Sequence, residues 1–171
     1  MERKIIKTSG ISIRPAINKD AEDILNLLFN IWINEYGFDV EKEDFPDLLE
    51  IENFYNDSKG LFLVALDKEQ IIGTIACQKL NDSCFVLKRM FVDKKFRGCG
   101  IAQLLLDNLL TEMVVLNEIQ NTTFYLSTKE NQAIAAKKFY LRNKFQVISR
   151  DELPENFPFF YKDDLFMKKQ F

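Results

Sequence analysis

The sequence predicts a mixed α/β fold: a central, mostly antiparallel sheet that contains one parallel pair of strands and is flanked by about four helices. Three apolar runs between residues 61 and 92 are joined by short polar turns, which favours an antiparallel meander. An amphipathic helix then separates the last of these runs from another strand, and a strand–helix–strand connection favours a parallel pair. No repeat or Pro/Gly/Ser-rich linker divides the 171 residues, so residues 1–171 are expected to form a single domain.

The first third of the chain predicts one strand followed by two helices. The strand covers Ile11–Arg14 and is stopped by Pro15. A helix follows from Asn18 or Asp20, since either residue can cap it. Its apolar residues recur at helical spacing, at Ile24, Leu27, Leu28, Ile31 and Trp32. A second helix is expected near Phe45–Asn56.

The remaining elements alternate between strands and helices. An unbroken apolar run, as in a strand covered on both faces, is followed by further strands and helices. The predicted strands are Leu61–Leu66, Ile71–Leu80, Phe85–Val92 and Thr123–Ser127, and the predicted helices are Gly100–Leu116 and Asn131–Tyr140. Phe145–Ser149 and Tyr161–Lys168 are expected to close the fold as a hairpin.

The most informative segment is a glycine-bearing turn between a strand and an amphipathic helix. It reads Arg97-Gly98-Cys99-Gly100-Ile101-Ala102. Backbone N–H groups at the start of a helix lack partners, and with the helix dipole they bind anions such as phosphate. Basic residues cluster nearby, namely Lys88, Arg89, Lys94, Lys95 and Arg97. The segment therefore predicts a phosphate-bearing ligand, although these six residues alone are equally compatible with a tight connection that binds nothing.

The stretch from Leu87 to Ala102 resembles the central motif of the Gcn5-related N-acetyltransferase (GNAT) family. The shared pattern is Lys-Arg-Met-aromatic-Val, a short spacer and Arg-Gly-x-Gly-Ile. The resemblance extends over nearly the whole chain and implies the GNAT fold, with the parallel strands splayed apart at the cofactor site. It also implies acetyl-CoA as cosubstrate, without a metal. The implied cofactor-binding residues are Met90, Phe91, Val92, Arg97, Gly98, Cys99, Gly100, Ile101, Ala102 and Asn131.

The resemblance further implies a catalytic residue, Tyr140, whose hydroxyl would protonate the departing thiolate of CoA. Core packing is the alternative explanation for this tyrosine at the end of a helix. Two positions depart from the family pattern. Val86 replaces the glutamate that acts as general base in many relatives, so the base must be another group or solvent. Lys144 stands where relatives have a glycine that caps a helix.

The function that the resemblance implies is transfer of acetyl from acetyl-CoA to a primary amine of a small molecule, by direct attack in a ternary complex. A non-catalytic acyl-CoA-binding or sensor module and a protein N-terminal or lysine acetyltransferase remain as alternatives. The acidic segment from Asp39 to Asp57 suggests a cationic acceptor, unless it is only a solvated face. Glu35 is the candidate for substrate binding or for the missing base.

Composition excludes several classes. The chain contains 0 His, which removes Ser-His-Asp and Cys-His systems and His-rich zinc centres. A net charge of -3 argues against nucleic acid as a partner. No apolar run is long enough for a membrane span, and the charged N-terminus does not resemble a signal peptide. Cys77, Cys84 and Cys99 lack metal-ligand spacing, which predicts reduced thiols and a cytoplasmic location. The Phe-rich tail could supply the interface of a homodimer.

Overall fold

The computed structural model describes residues 10–117, 121–131 and 134–171 of the chain. The N-terminal residues 1–4, on which the signal-peptide expectation rests, lie outside this range. The strands are β1 Ile11–Pro15, β2 Leu61–Asp67, β3 Gln70–Asn81, β4 Cys84–Val92, β5 Thr123–Thr128, β6 Gln146–Ile148 and β7 Leu165–Gln170. The α-helices of the described residues are α1 Ala21–Phe29, α2 Ile101–Asn117 and α3 Ile134–Arg142. None of the helices in this range is long and apolar enough to cross a membrane.

All seven strands form one sheet in the order β1-β2-β3-β4-β5-β7-β6. Strands β1 to β4 are antiparallel neighbours, as the short polar turns predict. Strand β5 is parallel to β4, and β6 pairs antiparallel with β7 as the closing hairpin, with β7 inserted between β5 and β6. The predicted mixed fold is therefore confirmed.

The parallel pair separates soon after it forms. Strands β4 and β5 are paired only from Cys84 to Val86 on the β4 side. Further along, β4 contains a bulge where its register with β3 shifts and where Arg89 adopts a left-handed φ of 54°. The carbonyl of Arg89 accepts a hydrogen bond of 2.6 Å from Oγ1 of Thr74. Because a bulge bends its strand, the second half of β4 turns away from β5 and a gap opens between them.

The sheet is covered on both faces, which explains the unbroken apolar run in β2. Alternate β2 residues point to opposite faces. Leu61, Leu63 and Ala65 join one core cluster with α2 and α3, whereas Phe62, Val64 and Leu66 join a second cluster with α1. The packing of α2 against the sheet fixes the position of its N-terminus, where the glycine turn lies.

Two helix predictions are corrected. The second helix, expected near Phe45–Asn56, is not one continuous helix: this stretch contains a short 3-10 helix at Pro46–Leu48 and a π-helix at Glu52–Asn56. Phe45 has φ −129° and ψ 63° because a residue that precedes proline is kept out of the helical region. The first helix begins at Ala21, with Asp20 at the N-cap position but without a side-chain capping hydrogen bond, and it continues past α1 as a π-helical segment over Asn30–Glu35. Lys144 takes the left-handed conformation itself, with φ 68°.

Candidate active site

The gap between β4 and β5 opens into two adjacent cavities. The larger has a volume of about 980 Å³ and the smaller of about 330 Å³. They share the lining residues Tyr36, Met90, Phe91, Ala136 and Tyr140. The cavities therefore meet at the bulged end of β4, opposite α3.

The larger cavity is built on the glycine turn. Gly98 and Gly100 have φ of 73° and 77°, a region that glycine enters without strain. The turn leads into α2 at Ile101, so the unpartnered N–H groups of the first helical turn are presented at the cavity. A chain of N–H donors with the positive end of a helix dipole suits a phosphate or pyrophosphate group. The volume and the N–H donors of this cavity fit the phosphates and the arm of an acyl-CoA.

The structure brings the predicted site residues together with one exception. The exception is Cys99, which does not line the cavity and packs against the hydrophobic core. Those that line the larger cavity are Glu35, Met90, Phe91, Val92, Arg97, Gly98, Gly100, Ile101, Ala102, Asn131 and Tyr140. Residues far apart in the sequence are thus gathered around one space.

Glu35 lies at the glycine turn and not in the smaller cavity. Its carboxylate forms a bidentate ion pair with Arg97, with Nη1–Oε2 and Nη2–Oε1 distances of 2.6 and 2.9 Å. Nε of Arg97 donates to the carbonyl of Val92 at 2.9 Å. The hydrogen bonds from Arg97 to Glu35 raise the pKa of the guanidinium further. Glu35 therefore orients Arg97 and offsets its charge beside the proposed anion site.

Tyr140 lies on α3 at the junction of the two cavities. Its ring packs against Phe139 and Phe145, with centroid distances of 5.4 and 5.3 Å. Burial, and to a smaller extent nearby Tyr36, raises the pKa of the Tyr140 phenol well above its usual value. No group of the described residues forms a hydrogen bond with this hydroxyl. Tyr140 is thus a protonated donor at neutral pH whose hydroxyl has no competing partner in the described chain.

The smaller cavity has an aromatic wall around a buried ion pair. Trp32 and Phe45 stack with a centroid distance of 4.4 Å, and the guanidinium of Arg89 lies 5.0 Å from the Phe45 ring. Arg89 donates to both oxygens of Asp47, Nε at 3.0 Å and Nη2 at 2.8 Å. The Tyr55 hydroxyl also donates to Asp47. Burial tends to raise the pKa of Asp47, but the charge and hydrogen bonds of Arg89 outweigh it, so the pKa is lowered.

Four further charged residues line the smaller cavity, namely Asp44, Lys88, Lys129 and Asp163. Asp163 accepts a hydrogen bond of 2.6 Å from the Ser127 hydroxyl, and burial raises the pKa of this carboxyl group. Nζ of Lys88 lies 3.3 Å from Oε1 of Gln78 and 5.7 Å from the centroid of the Phe54 ring. Burial lowers the pKa of Lys88 to about 8.

The sequence reasoning did not find this second group of residues. The sequence places Lys88 and Arg89 in a basic cluster near the glycine turn, whereas both residues line the smaller cavity at the bulge of β4. Asp47 belongs to the acidic segment from Asp39 to Asp57, yet its charge is balanced by Arg89. Asp163 and Tyr36 carry no spacing signal, because each comes from a loop or helix end that only the fold brings to the site.

Comparisons with known proteins support this description. Residues 58–147 match the family model described as acetyltransferase (GNAT) domain. An acetyltransferase of the GNAT family from Staphylococcus aureus Mu50 has 32% sequence identity and a TM-score of 0.87, over 94% of this chain and 98% of that chain. The PaiA N-acetyltransferase of Thermoplasma acidophilum, solved in complex with coenzyme A, shares the fold, with 19% identity and a TM-score of 0.69 over 94% of this chain and 99% of that chain.

A curated relative extends the comparison. N-acetylaspartate synthetase of Danio rerio is 32% identical over 108 residues. The match covers 62% of this chain and 37% of that protein, so the chain corresponds to little more than a third of the relative.

Proposed function

The chain belongs to the GNAT acetyltransferase family, and on that premise we propose that it transfers the acetyl group of acetyl-CoA to a primary amine of a small molecule. One observation carries the proposal: a cavity with an anion-binding turn and a small, aromatic-walled cavity meet at Tyr140 and at Met90 and Phe91 of β4. This is the arrangement that a ternary complex requires, because donor and acceptor then reach one point from opposite sides.

The larger cavity is the proposed donor site. The turn from Arg97 to Ala102 would hold the pyrophosphate, and Asn131 and the end of β4 would hold the pantetheine arm. Acetyl-CoA, when bound, supplies an activated thioester. That the Thermoplasma acidophilum relative was solved with coenzyme A supports this assignment.

The residues of the chain have three proposed tasks in the reaction. Backbone N–H groups near Phe91 and Val92 polarise the thioester carbonyl, since β4 has no neighbouring strand in the gap beyond Val86. The Tyr140 hydroxyl donates the proton that the departing thiolate takes up. The proton of the amine leaves through water, because the apolar side chain of Val86 cannot accept it.

The dimensions of the acceptor side favour a small molecule over a protein acceptor. The volume of about 330 Å³ is at the low end of the range for small-molecule pockets, about 300–1,000 Å³. Phe159 and Phe160, from the loop before β7, line the cavity beside Trp32 and Phe38. The name of the Danio rerio relative, N-acetylaspartate synthetase, points to a small-molecule product as well.

Isothermal titration with acetyl-CoA, followed by measurement of thiol release with a panel of amines, tests the proposal. We expect micromolar binding that Gly98→Glu abolishes, because the substitution strains a left-handed residue and adds a negative charge at the phosphate site. Gly10→Glu is the matched control: Gly10 also has a positive φ, 118°, but lies outside both cavities. Absence of wild-type binding would overturn the proposal. Binding without turnover of any amine would instead support a non-catalytic acyl-CoA-binding module, the alternative that Val86 motivates.

A further inference from the structure

We infer that the acceptor is an amino-acid-like molecule with a carboxylate beside its primary amine, and that Arg89 binds this carboxylate while Asp163 receives the ammonium group. The inference rests on the proposed acetyl transfer and names the class of its acceptor. Both residues line the smaller cavity, which also contains the junction with the donor site.

Arg89 has donors left for a ligand. Asp47 occupies Nε and Nη2 of the guanidinium. Nη1 has no hydrogen-bond partner among the described residues. Nη1 is also not completely buried. In the described chain, the completely buried side-chain atoms that lack a partner are Asn117 Oδ1 and Thr122 Oγ1. A planar guanidinium with one edge fixed by a carboxylate and the other open to a cavity is suited to bind a second carboxylate.

The guanidinium is also held in place before any ligand binds. Its carbon lies 5.0 Å from the centroid of Phe45 and 5.6 Å from that of Trp32. With the bidentate contact to Asp47, these rings fix the direction of the free edge. Little conformational entropy is then lost when a ligand binds, so the interaction contributes its full strength to selecting the acceptor.

The charges around the cavity match a zwitterion better than a simple cation. Asp47 balances the charge of Arg89, and Lys88 adds a second cation on the β4 side. A negative group on the ligand is therefore favoured there. Across the gap, Asp163 is held by Ser127 of β5 through Oδ2, and its Oδ1 has no partner among the described residues. Lys129 also lines the cavity on the β5 side, but its ammonium pairs with Asp164, so Asp163 is left as the carboxylate available to a ligand ammonium there.

Arg89 and Asp163 are near enough to interact electrostatically. Burial raises the pKa of Asp163, and the charge of Arg89 acts in the opposite direction. A ligand carboxylate at Arg89 would reduce this opposing effect. The ammonium of the same ligand, placed at Asp163, would replace the positive charge that stabilises the Asp163 carboxylate. A zwitterion therefore leaves the buried charges balanced.

The test uses matched sets of compounds that differ only at the carboxylate: an amino acid, its carboxamide and its decarboxylated amine, with acidic, polar and apolar side chains. In at least one set we expect kcat/KM for the free acid to exceed that for the other two by about 10- to 100-fold, the range for a hydrogen bond to a charged group. The comparison is stringent, because a carboxamide has a more weakly basic amine and thus more free base at neutral pH.

Variants then assign the preference to the proposed residues. Arg89→Lys keeps the charge but loses the free edge, and we expect it to remove most of the preference for the acid while the Kd for acetyl-CoA stays within about twofold. Arg14→Lys is the matched control, since Arg14 forms a bidentate pair with Asp20 at 2.7 and 2.8 Å outside both cavities. Asp163→Asn tests the ammonium side and serves if Arg89→Lys does not fold.

A second readout does not depend on turnover: calorimetric binding of the preferred amino acid to the CoA-loaded protein, which Arg89→Lys should weaken. Equal rates for acid, carboxamide and amine in every set, or a preference that survives Arg89→Lys, would overturn the inference while leaving acetyl transfer intact. Failure to bind acetyl-CoA would instead overturn the proposed function. Acetyl-CoA binding with neither turnover nor amino-acid binding would overturn the inference and favour the non-catalytic alternative.

Discussion

Replacing Asp47 by asparagine removes the negative partner of the buried Arg89 guanidinium at almost constant volume. The Asp47 side chain is 5% exposed and that of Arg89 is 14% exposed. The amide of asparagine offers one oxygen acceptor, whereas the carboxylate accepts hydrogen bonds at both oxygens and also one from Tyr55. The variant therefore leaves a cation in a largely desolvated site without a counter-charge.

The expected loss of stability is large. Removing one partner of a buried ion pair costs about 3–5 kcal/mol. For a chain of 171 residues, each kcal/mol corresponds to about 2–4 °C in Tm, so Asp47→Asn should lower Tm by about 6–20 °C. The lowered pKa of Asp47 adds a pH signature, because a carboxyl group with a depressed folded-state pKa stabilises the fold above its unfolded pKa of about 3.9. This contribution is lost as the pH falls through the folded-state pKa, and in the variant it is absent.

Thermal and urea unfolding followed by circular dichroism measures the effect. Glu130→Gln is the control, because it disrupts an ion pair with Lys137 in which the two side chains are 47% and 33% exposed. Exposed pairs contribute about 0–1 kcal/mol, so the control should lose at most about 4 °C. Equal losses in the two variants, or a loss below about 1 kcal/mol for Asp47→Asn, would refute the view that burial makes the Asp47–Arg89 pair essential.

Three further outcomes follow from the site. Tyr140→Phe should lower kcat in the thiol-release assay about 100-fold with little change in Tm, because the hydroxyl has no partner among the described residues; full activity would exclude the acid role. In the wild type, the free energy of unfolding should rise between about pH 8 and the ordinary lysine pKa of 10.5, because the unfolded chain binds more protons there than the folded one, and Lys88→Met should remove this rise. Unfolding midpoints measured against pH test this, and a rise that persists in the variant would show that another group causes it. Glu35→Gln should tighten acetyl-CoA binding, most at low salt, because Arg97 gains free donors; calorimetry at two ionic strengths checks this, and an unchanged Kd would contradict it.

The fold and the donor side could be predicted because their signals are local. The glycine turn, the helix that follows it and the meander before it each depend on residues adjacent in the sequence. The family resemblance carried by this local motif therefore assigns Met90–Val92 and Arg97–Ala102 to one cofactor site without tertiary information, and these residues line one cavity apart from Cys99. Cys99 is the exception in this run, because which way a side chain points from a turn depends on the packing of the helix behind it.

The acceptor side could not be predicted, because its residues are brought together only by the tertiary fold and carry no local sequence signal. Asp47, Arg89 and Asp163 belong to three segments that no spacing relates. The sequence also predicts a helix around Asp47, whose acidic residues would lie on one solvated face. In the structure this stretch divides into a 3-10 helix at Pro46–Leu48 and a π-helix at Glu52–Asn56, and Asp47, in the first of these, is buried beside Arg89.

Arg89 connects the architecture to the chemistry. A non-glycine residue in the left-handed region costs about 1–2 kcal/mol, and such strain persists only where the surroundings fix it. Here the Thr74 hydroxyl holds the Arg89 carbonyl and Asp47 holds its side chain. The same backbone conformation bends β4 away from β5, which opens the donor site, and points the guanidinium into the acceptor cavity. Arg89 thus lies at the bulge of β4 beside the gap, and its side chain supplies a charge that lines the acceptor cavity, so the backbone of one residue contributes to the donor side and its side chain to the acceptor side.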